Sequence, residues 1–331
     1  MLAARIHEDG GPEVLRVEEV PDPVAARGQV LVRLRAASLN HLDIWVRKGL
    51  PSVPKPRILG ADGAGVVEAL GEGVDGLEPG QRVVLNPGME HGDAITVIGE
   101  HTDGTHAELI AVDDAQVFPL DDSLTFEVAA AFPLVYETAY RMLVTRAAVQ
   151  AGEWALIWGI GGGVATAAFE ICRALGVRTI VTSGDDDKLA RAVEWGADVG
   201  VNHAKGDVVG AVRETTGKGV DVVVESVGEA TWARSLAAVR PTGRVVVCGA
   251  TSGPNPPAQL HRFWWKQLTV LGSSMGTRED FLGAYDLVRT GRVGVHVDRV
   301  YPLSEIRAAH ERLEAGEQLG KIVLVMPDEG S

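Results

Sequence analysis

An apolar run, Trp154-Ala155-Leu156-Ile157-Trp158, leads directly into Gly159-Ile160-Gly161-Gly162-Gly163-Val164-Ala165 and then into the alanine-rich stretch ATAAFEICRALG. No other part of the sequence restricts the fold as much. Glycine-rich turns are common, and a bare G-x-G-x-x-G carries little information. Here the glycines follow a strand-like run, open a helix-like run and sit inside a β-α-β alternation, which is the context that gives the motif meaning. Side chains in such a loop would hold a pyrophosphate away from the helix N-terminus, where unpaired N–H groups and the helix dipole favour negative charge. Gly159, Gly161, Gly162, Gly163 and Val164 are therefore candidate contacts for a dinucleotide, and Ala165 takes the small position where helix packs on sheet.

The alternation continues after the loop. RTIVTSG, VGVNH, VDVVVESVG, GRVVVCGA and LTVLGSS read as short buried strands, and DKLARAVEWGA, WARSLAAVR and EDFLGAYDLVRTG as helices. Five-residue apolar strands alternating with helices predict a doubly wound parallel sheet. The first hundred residues differ. VLRVEEV and QVLVRLRAASL alternate apolar with polar residues, and valine runs are cut by glycine and proline turns, which predicts a β-rich unit. The stretch 124–149 has helical period throughout. The fold class expected is α/β, with a β-rich domain over 1–133 and 278–331 and a dinucleotide-binding domain over 134–277.

Composition narrows the function. A formal charge of −14 and a pI near 5.1 are the wrong sign for neutralising phosphates along a nucleic acid, so no nucleic-acid partner is expected. No apolar stretch approaches 20 residues and the N-terminus lacks a basic-then-apolar layout, so no membrane partner and a cytoplasmic location are expected. Cys172 and Cys248 lie in apolar runs and are expected as buried thiols.

The strand after the glycine loop tests which dinucleotide fits. NAD-binding versions of such a fold usually end this strand on an acidic residue that accepts from the ribose 2′-hydroxyl. Ser183-Gly184 stands there instead, with Lys188 following, and leaves room for a 2′-phosphate that a lysine neutralises. Asp185, Asp186 and Asp187 would oppose that if they turned inward. NADPH is the expected cofactor, with NADH as the alternative.

With these residues in view, the chain resembles the medium-chain dehydrogenase/reductase superfamily, in its quinone-oxidoreductase-like branch. The likeness runs through SLNHLDIWVRKG (38–49), GADGAGVVEALGEGV (60–74), PGQRVV (79–84), GTHAE (104–108), EWGAD (194–198), VVVESVG (222–228) and LGKIVL (319–324). It implies a GroES-like catalytic domain, a Rossmann cofactor domain, an active site in the cleft between them, and a homodimer or homotetramer. It also implies Thr138 near the nicotinamide, with Tyr136 lining the same cleft and Asn40 and Asp43 on the substrate side. Asn40 is expected to donate its amide to the acceptor oxygen, and Asp43 to orient its neighbours. Val227, Cys248 and Gly249 are expected along the cofactor, Ser273 and Ser274 at its carboxamide, and Lys321 at its pyrophosphate. The aromatic run Phe263-Trp264-Trp265 is expected in the core or at a subunit interface, with a substrate platform as the alternative, and LTVLGSS resembles the family's edge strand that pairs across a dimer axis.

The departures from the zinc alcohol dehydrogenases of this superfamily weigh more. Asn40 stands for the first cysteine of their catalytic site, Ala61-Asp62 for the His-Glu pair, and Leu134 falls near the second cysteine. The segment 87–103 has no cysteine for a structural zinc lobe. Zinc needs three or four placed N, O or S ligands, so no metal site is expected. Without one, an acceptor that spreads developing negative charge, a quinone or an α,β-unsaturated carbonyl, suits the site better than a simple ketone. The expected function is NADPH-dependent reduction of such a small molecule. The alternatives are an alcohol or aldehyde dehydrogenase with an atypical metal site and a cofactor-binding protein without turnover.

Overall fold

Glycine and proline turns cut the first third of the chain into short strands, and a ten-residue strand serves as their spine. The computed structural model describes residues 1–92 and 94–327. The chain divides into two units, Met1–Leu134 together with the segment from Val295 onward, and Val135–Gly294.

The first unit begins with β1 (Leu2–Ile6), β2 (Leu15–Glu19), β3 (Gln29–Ser38), α1 (His41–Arg47), β4 (Arg57–Ile58), β5 (Asp62–Leu70) and β6 (Arg82–Leu85). It continues through β7 (Gly88–His91), β8 (Ala94–Val97), β9 (Leu109–Asp113), β10 (Val117–Pro119) and α2 (Phe126–Ala131). Along β3 the sequence QVLVRLRAAS turns Val30, Val32, Leu34 and Ala36 inward at every second position, the strand period written in the sequence. Asn40 follows the end of that strand and caps α1, where the Asp43 carboxylate accepts the Asn40 N–H at 2.7 Å and closes the first turn.

The second unit contains most of α3 (Pro133–Tyr140), then β11 (Trp154–Ile157), α4 (Gly163–Ala174), β12 (Arg178–Ser183), α5 (Asp186–Glu194), β13 (Val199–Asn202) and α6 (Val208–Thr216). After these come β14 (Val220–Glu225), α7 (Trp232–Ala238), β15 (Val239–Val247), α8 (Leu260–Lys266), β16 (Thr269–Gly272) and α9 (Arg278–Arg289). Its six strands are all parallel in the order β13-β12-β11-β14-β15-β16. The order reverses between β11 and β14, the switch point where dinucleotides bind in doubly wound sheets.

The chain then re-enters the first unit as β17 (Val297–Pro302), α10 (Ile306–Glu314) and β18 (Lys321–Val325). There β18 runs antiparallel to β3 with Val323 opposite Ser38, while β5 flanks β3 on its other side with Asp62 opposite Ser38. The ends of three strands distant in sequence thus meet at one point.

Two expectations are corrected. The helical period over 124–149 is not one helix: Pro133 cannot continue the N–H ladder of α2 and instead starts α3, which widens into a π-type turn over Arg141–Arg146. The return to the first unit comes at Val295 rather than at 278. Residues 278–294 stay with the second unit because Asp280 on α9 takes hydrogen bonds from Arg141 and Thr145, and the Gly294 N–H donates to Glu170 at 2.9 Å. Residues 328–331 of the predicted C-terminal part lie outside the described residues.

Behind the strand ends of the first unit lie two fully buried histidines. Arg47 donates to His310 Nδ1 at 2.9 Å, and the His106 and His310 rings meet edge to face at 6.2 Å. Burial pushes His106 down to about 4 and His310 well below the usual histidine range, with Arg47 adding to the effect on His310. In the unfolded chain each ring titrates near pH 6.5. The stability these neutral rings supply is therefore present above pH 6.5 and is lost as the pH falls toward about 4. Urea unfolding is expected to weaken across that window by about 1.4 kcal/mol per pH unit for each ring that stays neutral in the fold. His106→Gln is expected to flatten the dependence.

Candidate functional site

In the second unit the glycine loop takes the shape its sequence requires. Gly159 has φ +67°, and a β-carbon built on it meets nothing within 4 Å, so backbone conformation rather than crowding demands glycine there. Thr182 at the end of β12 fixes the loop from below: its hydroxyl accepts the Gly159 N–H at 3.1 Å and its carbonyl the Ile160 N–H at 2.8 Å. Gly161, Gly162, Gly163 and Val164 stay half-buried at the start of the 12-residue α4. The first-turn N–H groups have no carbonyl four residues back within the helix. This open cradle fits a pyrophosphate.

Beside it, Ser183 is buried at the end of β12 and its hydroxyl accepts the Asp185 N–H at 3.1 Å. Two of the three aspartates that follow are already engaged. Asp185 caps α5 by accepting from Asp187 and Lys188 N–H groups, and Asp186 is held by Asn202 and Lys205. Lys188 is half-buried on the first turn of α5. His203, which the sequence reading missed, stands over the same corner. Its Nε2 lies 3.5 Å from where a Gly184 β-carbon would be, and its Nδ1 is buried with no hydrogen-bond partner. Only the parallel pairing of β12 with β13 brings it there.

The loop after β14 is organised by Glu225, a fully buried carboxylate also absent from the sequence reading. It accepts the N–H groups of Val227 and Gly228 at 2.9 and 3.1 Å, the Thr231 hydroxyl at 2.8 Å and the Ser235 hydroxyl at 2.6 Å. Ser235 in turn accepts from the Trp158 indole at 2.8 Å, which ties this loop to the strand before the glycines. Cys248 and Gly249 follow β15 and are half-buried as residues, while burial pushes up the thiols of both Cys172 and Cys248, in keeping with the expectation that they lie inside. Ser273 follows β16, its N–H on the Val247 carbonyl and its hydroxyl on the Ser274 carbonyl. Thr138 is buried on α3. Tyr136 is buried too, but its hydroxyl donates to the Gly294 carbonyl, so that oxygen is committed to structure rather than facing a ligand.

In the first unit the strand ends assemble a dense polar cluster. Asp62 is fully buried; its Oδ2 accepts from Ser38 Oγ at 3.0 Å, Asn40 Nδ2 at 2.8 Å and Lys321 Nζ at 3.1 Å, and its Oδ1 from the Leu134 N–H at 2.8 Å. Lys321 is 4% exposed, and Nζ donates also to the Leu39 carbonyl at 2.8 Å and to Asn40 Oδ1 at 2.6 Å. The expectation that Lys321 reaches a pyrophosphate is thereby corrected: all three ammonium protons are used within this cluster. Burial lowers the Lys321 pKa and the Asp62 carboxylate opposes that shift. Asp43 accepts the N–H groups of Asn40 and Gly60, an orienting role, and burial pushes its carboxyl up to about 7. Gly60 has φ +97°, and a β-carbon there would stand 2.4 Å from the His106 ring. His41 is half-buried beside the cluster, its pKa lowered by burial and by Lys321.

These residues do not fit zinc. Position 40 offers an amide, 61 a methyl, 134 an aliphatic side chain, and the Asp62 carboxylate is saturated by Ser38, Asn40, Leu134 and an ammonium. Among the described residues no three His, Cys, Asp or Glu side chains form a group able to hold a metal ion.

The two units correspond to two known domain families. The zinc-binding dehydrogenase family matches residues 163–290, and the alcohol dehydrogenase GroES-like domain family matches residues 26–122. Human quinone oxidoreductase is 30% identical over 339 residues, spanning 98% of each chain. The chain belongs to the medium-chain dehydrogenase/reductase superfamily, in its quinone-oxidoreductase-like branch. A crystal structure described as an NAD-dependent alcohol dehydrogenase superposes with a TM-score of 0.95 at 39% identity, covering 99% of this chain and 100% of that one. A mycobacterial structure complexed with NADPH gives 0.86 at 30% identity, covering 98% of this chain and 99% of that one. As a member of this family the chain is an NAD(P)H-dependent oxidoreductase with a GroES-like domain and a Rossmann domain.

Glu225→Ala would take the acceptor from the Val227 and Gly228 N–H groups and the Ser235 hydroxyl, and leave the Thr231 hydroxyl only the Gly228 carbonyl at 3.3 Å. It is expected to lower the unfolding free energy by about 3 kcal/mol or more. By freeing the Val227–Gly228 loop, it is also expected to weaken nicotinamide-cofactor binding measured by titration calorimetry.

Proposed function

We propose that the protein is an NADPH-dependent reductase of quinones or α,β-unsaturated carbonyls that works without catalytic zinc. The observation that carries this reading is the polar cluster of the first unit. Positions 40, 61, 62 and 134 present an amide, a methyl, a carboxylate already bound by Lys321 and a leucine. A site so built polarises an acceptor through hydrogen bonds and lacks the divalent charge that stabilises a localised alkoxide. Hydride addition to an enone or quinone leaves its negative charge spread over an enolate or phenolate, which one proton from solvent then neutralises.

The bound cofactor supplies the hydride. The residues proposed to hold it are those of the cradle, Gly159 and Gly161 to Val164, with Val227, Cys248, Gly249, Ser273, Ser274 and Thr138 further along. Asn40 is proposed as the donor to the acceptor oxygen, and Asp43 as the group that fixes the turn presenting it. For the 2′-phosphate, Ser183, Gly184 and Lys188 are proposed, joined by His203. The support is that two of the three carboxylates that follow, Asp185 and Asp186, are tied up by α5 and by Lys205.

Assembly as a homodimer is proposed through β16, which lies at the edge of its sheet. Trp264 and Trp265 are 66% and 84% exposed nearby, while Phe263 packs on the core of the second unit. The two tryptophans are thus not core residues, and interface is the part of that expectation that stands as a proposal. No helix among the described residues is long and apolar enough to cross a membrane.

The likeness to the NAD-dependent alcohol dehydrogenase favours a second reading, alcohol oxidation with a metal held unusually. Stoichiometric metal in the purified protein, required for turnover, would select it. For the first reading, NADPH consumption is followed with a panel of quinones and enones on wild type and Ser183→Asp. Wild type is expected to prefer NADPH over NADH at least about tenfold in kcat/KM, a difference of about 1.4 kcal/mol. The aspartate is expected to reverse the order by repelling the 2′-phosphate and accepting from a 2′-hydroxyl.

A further inference from the structure

The hydrogen bonds of Asn40 leave a definite remainder. A carboxamide has one acceptor oxygen and two N–H donors. Here Oδ1 accepts from Lys321 Nζ at 2.6 Å, and one Nδ2 proton goes to Asp62 Oδ2 at 2.8 Å. The opposite flip of the amide would set N–H groups against an ammonium and the oxygen against a carboxylate, two repulsions in a site 4% exposed. One orientation survives. In it the second Nδ2 proton has no partner within the Lys321–Asp62 pair.

The ammonium that enforces this choice is itself saturated. Its three protons meet three acceptors, the Leu39 carbonyl, Asn40 Oδ1 and Asp62 Oδ2. Two of those acceptors, Asn40 and Asp62, stand at positions that hold the metal in the zinc alcohol dehydrogenases this chain resembles. A resident cation therefore binds the side chains standing at positions from which the zinc enzymes hold their metal, and its charge polarises the amide toward stronger donation.

We propose that Lys321 is a positioning residue for the acceptor site: its ammonium locks the Asn40 amide so that an N–H, never the oxygen, is offered to the acceptor. The consequence is a site that recognises acceptors by a carbonyl oxygen gaining negative charge and disfavours donors such as alcohols at the same place. This rests on the proposed role of Asn40 in holding the acceptor oxygen.

The test combines Lys321→Met, Asp62→Asn, their double variant, and Asn40→Ala alone and with Lys321→Met. The probe acceptor is 1,4-benzoquinone with NADPH. Lys321→Met strands a buried carboxylate and can fail to fold; the Lys321→Met/Asp62→Asn pair removes both charges and keeps the question open. In the pair, kcat is expected to fall at least about tenfold while KM for NADPH stays within about twofold. Lys321→Met on the Asn40→Ala background is expected to add no further loss, since both changes remove the same interaction. Recovery of wild-type kcat in the pair, or losses that multiply in the combined variant, would overturn the proposal.

A readout independent of turnover comes from the side-chain amide resonances of Asn40, assigned by their disappearance in Asn40→Ala. They are expected to exchange with solvent at least about tenfold faster in the charge-free pair than in wild type. Unchanged exchange would overturn the locking role even if activity fell. Wild-type protein that oxidises NADPH with no quinone or enone would sink the reductase reading alone, leaving the exchange result to decide the role of Lys321.

Discussion

A buried ammonium holds the first unit together at its most polar point. Lys321 begins the last strand, Asp62 begins β5, and Asn40 follows the end of β3, and the ammonium of the first binds the other two and the Leu39 carbonyl. Taking an ammonium and a carboxylate out of water costs several kcal/mol per ion, and their mutual attraction offsets this only when the remaining protons and lone pairs are satisfied. That condition is met here: three acceptors for three protons, and four donors for one carboxylate. The arrangement specifies register as much as stability, since a slip of one residue in β18 would point Lys321 at the opposite face of the sheet.

The second unit solves the same problem with the sign reversed. Glu225 enters the interior at the end of an all-buried strand and is met by two backbone N–H groups and two hydroxyls, without a cation. Three of its donors lie on the loop after β14, at the topological switch point, and the fourth, Ser235, on α7, so satisfying the charge also fixes the loop proposed to wall the cofactor cradle. Both units place a fully hydrogen-bonded charge immediately behind the residues expected to touch ligand, where rigidity has most effect. The neutral histidine pair behind Asp62 is the contrasting case. Burial favours the neutral form of His106 and His310 instead of pairing a charge, and acid sensitivity is the expected consequence.

Much of the fold was legible because periodicity is a local property. The β11–glycine loop–α4 unit, the parallel alternation that follows and the inward residues of β3 could each be read from stretches of about ten residues. Where the reading failed, packing had overruled local pattern. Residues 124–149 keep a helical period across Pro133, yet the ring ends one helix and starts another. The segment 278–294 looks like part of the closing strand-helix-strand tail, yet Asp280 anchors it to Arg141 and Thr145. Tyr136 was placed toward ligand by resemblance, and its hydroxyl proved to be turned to the Gly294 carbonyl.

The sequence by itself determined which groups stand at the telling positions: glycines between β11 and α4, a serine rather than an acid at the end of β12, and an asparagine, alanine, aspartate and leucine where the zinc enzymes of this superfamily carry their metal ligands. Those are statements about composition at given positions, and no folding is needed to make them. Which side chains meet was decided only by tertiary structure. Lys321 and Asn40 are 281 residues apart, Asp62 and Leu134 are 72, and each pair is brought within hydrogen-bonding distance by the way the folded strands and helix ends pack. A lone lysine near a C-terminus reads as a free cation until the acceptors that use up its protons come into view.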